Sequence, residues 1–276
     1  MAKPLISIVT VCYNSFNTIE KTIRSVIHQT YPNIEYIIID GGSTDGTVDI
    51  IKRYSQYITF WISEPDNGIY DAMNKGIKKA SGEWIHFRNS GDFFVSKNTI
   101  EDFFENPVTD DVMILHGKCF YVYPDGYLEK EPPILSTSYK KQIPVLHPAT
   151  FVRTDLQKQM PFDVKYKSSA DYDFFYKCSE MGIKFEYRPI VVAAFEVGGF
   201  SSNWKRAYFE DCKLQGKSNN LIGVVGVYAN MVYLSLKRFF INFIRTAPVI
   251  RTIAKYRRKY LNHEVAKMPL PVPVDF

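Results

Sequence analysis

The sequence predicts an α/β fold, a Rossmann-like, mostly parallel sheet flanked by helices and followed by a helical C-terminal extension. Three observations carry this. Short apolar runs alternate with amphipathic helical stretches from Leu5 to Phe87, with brief links between them. The first of these runs is apolar on both faces, as a buried parallel strand is. Polar, glycine-containing loops follow three of the runs, at Asp40-Gly-Gly-Ser-Thr-Asp45-Gly-Thr47, at Asp66-Asn-Gly-Ile69 and at Asn89-Ser-Gly-Asp92. Right-handed crossovers bring such loops to one edge of the sheet, where open α/β sheets bind their ligands.

Each element has its own signal. Leu5–Cys12 is the first strand. Asn17-Thr-Ile-Glu20 reads as a helix cap, with Ile19, Ile23, Val26 and Ile27 on one helical face and Tyr31-Pro32 ending the helix. Ile34–Ile39 is the second strand. A helix from about Thr47 to Tyr54 turns Val48, Ile51 and Tyr54 inward. Ile58–Ile62 is the third strand, Ile69–Ala80 a helix stopped at Gly82, and Trp84–Phe87 the fourth strand. After Ser96 the rhythm changes to a helix (Thr99–Phe104), a strand (Val112–His116) and a hairpin near Tyr121–Tyr127 turning on Pro124-Asp-Gly126. A loop-like stretch containing Pro132, Pro133 and Pro144 leads to Pro148-Ala-Thr-Phe-Val-Arg153. A helix over Ala170–Met181, strands near Phe185–Tyr187 and Ile190–Phe195, and helical sequence from Asn203 complete the chain. The expected organisation is a catalytic domain over residues 1–202, with halves 1–95 and 96–202, and a basic helical extension over 203–276.

Composition narrows the class. The 276 residues are 46% hydrophobic, ordinary for a globular chain, and 15% aromatic, which is high. The four cysteines (Cys12, Cys119, Cys178, Cys212) show no metal-ligand spacing and point to reduced thiols in a cytosolic compartment. The first residues lack the form of a secretory signal. The net charge of +5 is concentrated near the end: from Asn230 to Leu261 there are eight Lys or Arg and no acid. The aromatics and aliphatics interleaved with them describe a helix lying in the headgroup layer of an anionic membrane; a solvated basic face over a packed helix is the alternative. Leu221–Leu236 is short for a membrane span. No recognisable nucleic-acid-binding motif surrounds the basic residues, so no nucleic acid partner is expected.

Three segments together carry a resemblance. Ile6-Ser-Ile-Val-Thr-Val-Cys-Tyr-Asn14, Asp40-Gly-Gly-Ser-Thr-Asp45-Gly-Thr47 and Pro65-Asp-Asn-Gly-Ile-Tyr-Asp-Ala-Met-Asn-Lys-Gly76 occur in the order seen in family 2 of the inverting glycosyltransferases, which have the GT-A fold. The chain resembles that family over roughly residues 4–200, most closely its bacterial surface-polysaccharide members. Two positions depart from its pattern. Asn89-Ser90-Gly91-Asp92 has one carboxylate where the family's metal motif has two, and Ala170-Asp171 has one where the family has Glu-Asp.

The resemblance implies a division of labour. Thr10, Val11, Tyr13 and Asn14 flank the nucleotide base. Asp40 accepts a hydrogen bond from the uracil or ribose or, alternatively, caps its turn, with Gly42 and Ser43 in the same loop. Asp45 contacts the ligand or only orders that loop. Asp66, Asp71 and Asn74 belong to the donor motif, and Lys75 faces phosphate or solvent, the latter favoured. Asn89, Ser90 and Gly91 complete the donor side, and Asp92 is the metal ligand for Mn²⁺ or Mg²⁺, whose remaining positions phosphate oxygens and water can fill. Asp171, at a helix start that favours the charged carboxylate, is the general base, preferred over Asp173. His147 is a candidate near the acceptor. Gly198-Gly-Phe-Ser-Ser202 is a candidate loop over the donor. The implied function is inverting transfer of a hexose or N-acetylhexosamine from a UDP-sugar to a polyprenyl-diphosphate-linked glycan in O-antigen or capsule synthesis. The protein would be peripheral on the cytoplasmic face of the bacterial cell membrane. The alternative is a sugar-nucleotide-binding protein without turnover.

Overall fold

The computed structural model describes residues 3–123, 126–132, 145–196, 204–214 and 221–246. The first half alternates as the hydrophobic pattern requires: β1 (Ile6–Cys12), α1 (Ile19–Ile27), β2 (Ile34–Asp40), α2 (Thr47–Arg53), β3 (Phe60–Ser63), α3 (Ile69–Lys79) and β4 (Trp84–Phe87). Then come β5 (Phe93–Phe94), α4 (Thr99–Phe103), β6 (Val112–Tyr123), β7 (Gly126–Lys130), β8 (Thr150–Arg153), α5 (Thr154–Gln159), α6 (Ala170–Glu180) and β9 (Lys184–Glu196), followed by α7 (Trp204–Leu214) and α8 (Leu221–Thr246).

These strands form one sheet in the order β3-β2-β1-β4-β8-β6-β9-β5, with β7 paired to β6. The β3-β2-β1-β4 portion is parallel throughout. Beyond β4, strand β8 runs antiparallel to both β4 and β6, and only β6 and β9 pair in parallel. Period-two alternation divides the core. Ile6 and Ile8 of β1 point to the face covered by α1, α2 and α4, while Val9 and Val11 point to the face covered by α3, α5 and α6. Each buried Ile or Val contributes about 1.5–3 kcal/mol relative to exposure. On the second face α3 lies so close to β1 that a Cβ at Gly76 would collide with Val9 Cγ1.

Several local expectations change. Asn17 does not cap α1; Thr18 holds that position without a side-chain cap, and Glu20 accepts from Tyr54 Oη at 2.7 Å instead. In α2 the buried residues are Thr47, Ile50 and Ile51, with Val48 and Tyr54 only half-buried. The two strands expected near residues 185 and 190 are one strand, β9. It is interrupted where Arg188, Pro189 and Ile190 bulge opposite Gly117 of β6, which is the break that the Pro produces in the apolar pattern. The turn residues Pro124 and Asp125, the Gly198–Ser202 loop and everything after Thr246 lie outside the described residues. Among the described residues, no helix is long and apolar enough to cross a membrane.

Candidate active site

The loops after β1, β2, β3 and β4 meet at the carboxyl edge of the parallel strands. Asn14, with φ of 47°, donates its backbone N–H to Ser43 Oγ at 2.7 Å and accepts from the Thr44 backbone at 3.0 Å through Oδ1. Ser90 N–H donates to the Val11 carbonyl at 3.1 Å, and its hydroxyl lies 3.0 Å from that of Thr18. Gly41 leaves room for Asp66: a Cβ there would strike Asp66 Oδ2 and approach the Tyr13 ring at 3.4 Å. Three expected regions therefore come together. Tyr13 is 64% exposed and offers a free ring face beside them.

Most carboxylates of this edge build the loops. Asp40 is wholly buried and accepts from Gly42 N–H (3.1 Å), Ser43 N–H (2.8 Å), Ser43 Oγ and Ser63 Oγ (2.6 Å). Of the two roles expected for Asp40, turn-building is the one visible in this geometry. Asp45 accepts from Phe16 N–H and from the backbone and hydroxyl of Thr47. Burial is the largest single influence and raises its carboxyl, but the bonds from Thr47 and Phe16 together outweigh it and hold the carboxyl below the usual range. Asp71 accepts from Asn67 N–H at 2.9 Å, and Asp66 Oδ1 from Gly68 N–H at 2.8 Å. Asn74 spends both amide atoms on the Phe162 backbone, which ties α3 to the segment before α6. Lys75 turns back to Glu64 (2.8 Å) and the Pro65 carbonyl (3.0 Å) rather than into solvent, because both partners lie within its reach. The side chains of Thr10 and Val11 are core, Thr10 sharing a hydrogen bond with Tyr36 Oη; only their backbone is on offer.

Past β4 the chain holds a buried charge. Arg88 is fully buried, stacks on Phe94 at 4.0 Å, and donates from Nη2 to His86 Nε2 at 2.7 Å. His86 Nδ1 in turn meets the Thr150 carbonyl at 2.8 Å, and burial keeps this histidine neutral by lowering its pKa well below the ordinary value. Asp92 is 6% exposed. Burial raises its carboxyl to about 7 against the favourable charge of Arg88, and Glu196 adds to the rise. Thr22 Oγ1 donates to the Asp92 carbonyl (2.8 Å) and accepts from Gly91 N–H (3.0 Å), setting the turn.

The donor set at this turn fits a hard cation. Asn89 Oδ1 is buried without a partner, and the Asp92 carboxylate is on the same turn. No cluster of three or more His, Cys, Asp or Glu side chains gathers among the described residues. A cation here would draw on these two side chains and take its other oxygens from ligand and water.

The Asp171 corner is built differently. Asp171 opens α6 and is reached by residues from two distant segments: Tyr70 Oη donates to its Oδ1 at 2.7 Å, and His147 Nδ1 lies 3.3 Å from its Oδ2. Burial alone would raise this carboxyl; the His147 hydrogen bond and charge, with the Tyr70 phenol, overcome it and hold it below the ordinary value. His147 sits among the rings of Phe87, Phe162 and Phe175, and its Nε2 is buried without a partner. Asp173, the alternative base, is 6% exposed and paired with Lys177 at 2.6 Å. Sequence reasoning missed Tyr70, whose only signal was a polar tip on a buried helix face. It also missed Glu210 of α7, which accepts from the backbone N–H groups of Lys167, Ser168 and Ser169 just ahead of α6 at 2.9–3.1 Å.

The profile described as glycosyl transferase family 2 matches residues 7–164. A PGL/p-HBAD biosynthesis glycosyltransferase of Mycobacterium bovis is 28% identical over 272 residues, covering 94% of this chain and 100% of the relative. The putative teichuronic acid biosynthesis glycosyltransferase TuaG of Bacillus subtilis is 40% identical over 93 residues, 33% of this chain and 37% of the relative. Two crystal structures share the fold. S. aureus TarS 1–349 in complex with UDP-GlcNAc has a TM-score of 0.59 at 20% identity, over 76% of this chain and 66% of that one. The mannosyltransferase PcManGT of Pyrobaculum calidifontis, in complex with GDP-Man and Mn²⁺, has 0.60 at 15% identity, over 95% and 89%.

Proposed function

From the premise that this chain belongs to glycosyl transferase family 2 and has the GT-A fold, we propose that it transfers a hexose or N-acetylhexosamine from a UDP-sugar, with inversion, to a lipid-linked glycan in surface polysaccharide synthesis. One observation carries the reading: an ionised carboxylate, Asp171, is clamped by Tyr70 and His147 on the segment that Asn74 ties to the loop edge. Tyr70, His147 and the Tyr172 backbone N–H take three of the carboxylate's roughly four acceptor positions, so one remains for an incoming hydroxyl.

The chemistry follows from that clamp. The acceptor oxygen attacks the anomeric carbon as its proton passes to Asp171. The bond from that carbon to the diphosphate oxygen breaks and UDP leaves with the electron pair. A positioned base of this kind accounts for roughly 10²–10⁴ in rate. Tyr13 and Asp66 flank the base and ribose, and the loop backbone from Gly42 to Thr44 shapes the pocket. Asp92 and Asn89 would hold a divalent cation (Mn²⁺ or Mg²⁺), which would supply positive charge against the departing diphosphate. The UDP donor is supported by the complex of the staphylococcal relative, and the cation by that of the archaeal one. The names of the mycobacterial and Bacillus relatives support a glycoconjugate acceptor. Residues 1–202 form the catalytic domain in this reading, and 203–276 hold it to the inner membrane face.

The test is release of nucleoside diphosphate from a panel of UDP- and GDP-sugars by the purified chain, with and without EDTA. Hydrolysis of a UDP-hexose or UDP-N-acetylhexosamine that EDTA abolishes is expected. Tight binding of UDP-sugars with no release, even with membrane extract supplied as acceptor, would instead mark a binding protein.

A further inference from the structure

An open groove of about 680 Å³ lies outside the loop edge, between α7, α8 and the turn before α6. Three cations line it, Lys167, Lys205 and Arg206. Its single lining carboxylate, Glu210, is bonded by the three backbone N–H groups of residues 167–169, so three cationic residues and one acid line the groove. Its floor is apolar: Phe209 and Tyr228 meet at 5.8 Å, and Met231 lies beside them. Tyr228 also begins an exposed line along α8. Tyr228, Val232 and Leu236, spaced by four, are 49%, 57% and 53% exposed, and Val225 one turn earlier is 59% exposed. An exposed apolar line of this kind marks a contact surface.

The groove is also tied to the reacting corner. Lys167 bonds the Asn67 carbonyl at 3.1 Å, next to Asp66, and stands four residues before Asp171. Glu210 fastens α7 to the same turn.

We propose that this groove is the acceptor's anchor: a subsite for a diphosphate joined to a polyisoprenoid chain, the diphosphate against Lys167, Lys205 and Arg206 and the chain along Tyr228, Val232 and Leu236. The inference rests on the transferase reading above and specifies where its acceptor sits. Cations alone suit any phosphate, and an apolar line alone suits any lipid surface. Their meeting at Tyr228, beside the segment that carries Asp171, suits a ligand with both parts covalently linked.

Titration calorimetry on the full chain, with UDP present throughout to fill the donor site, tests this with two soluble probes. Farnesyl diphosphate is expected to bind at least about tenfold more tightly than inorganic diphosphate, since burying even a few CH₂ groups supplies that factor. Lys205→Gln with Arg206→Gln, both exposed, should weaken farnesyl diphosphate about thirtyfold. Val232→Asn should weaken farnesyl diphosphate but not inorganic diphosphate. Equal binding of the two probes, or an unaltered affinity in the double variant, overturns the proposal while hydrolysis upholds the transferase. Loss of hydrolysis in the unsubstituted protein with farnesyl diphosphate still bound points the other way, to failure of the transferase reading alone.

Discussion

At the ends of β2 and β3, acidic side chains are consumed in holding the loops of the sheet edge, whereas at the start of α6 an acidic side chain is held by a phenol and a histidine from distant segments. Asp40 and Asp45 together accept from seven backbone or hydroxyl donors, five in their own loop and two from Phe16 after β1 and Ser63 of β3. Asp171 receives its partners from α3 and from the segment before β8, 101 residues away in the case of Tyr70. The first arrangement converts charge into loop rigidity. The second places a charged group against aromatic rings with one histidine nitrogen still unpartnered, which stores electrostatic free energy that a reaction can use. What separates the two regions is the kind of partner: backbone amides and hydroxyls around Asp40 and Asp45, a phenol and an imidazole around Asp171.

Asp171→Asn probes the contrast most severely. It should lower turnover by about 10³-fold, roughly 4 kcal/mol in barrier, with UDP-sugar affinity kept and the denaturation midpoint little changed; a variant with wild-type turnover would transfer Asp171 to the architectural class. Asp40→Ala should act in the opposite sense, costing about 3 kcal/mol of stability in urea titrations because several buried donors lose their acceptor. A stability loss well under 1 kcal/mol would show the loop to be held by other contacts.

His147→Ala comes next. Turnover should fall about ten- to a hundredfold as Asp171 loses its orientation. The sign of the pH effect is fixed: His147 is the main influence holding the Asp171 carboxyl below its ordinary value against burial. Its removal moves the acid limb of the kcat/KM profile upward, measurable between pH 4 and 7 as activity lost at a higher pH than in the wild type. The same depression means that Asp171 adds stability above the unfolded aspartate pKa, lost as pH falls through its folded value. Lys75→Ala is the mildest probe. Its pair with Glu64 is partly exposed, so about 0.2–1 kcal/mol of stability and little activity should be lost, read by thermal melting in low and high salt.

The parallel half was legible because its information is local. Strands apolar on both faces, helices with one apolar stripe and glycine-rich links each identify themselves within about ten residues, and β4 emerged with the expected bounds. The other half was less so. The reversal of β8 between β4 and β6 follows from strand pairing across long connections, and no run of residues encodes it. Likewise Asp171 stood out by the resemblance of Ala170-Asp171 to the family's Glu-Asp pair, while Tyr70 looked like any helix-face aromatic until folding brought the two together.

By itself the amino-acid order determined the α/β class and the three polar loops at one sheet edge, because short-range periodicity and turn chemistry act within a few residues. Only the tertiary structure decided which carboxylates are spent and which are kept. It turned Asp40 inward onto its own loop, tied Lys75 to Glu64, set His147 and Tyr70 against Asp171, and fastened Glu210 ahead of α6. A side chain's role depends on the donors and charges within hydrogen-bond reach of it, and those arrive from parts of the chain that sequence spacing does not bring near.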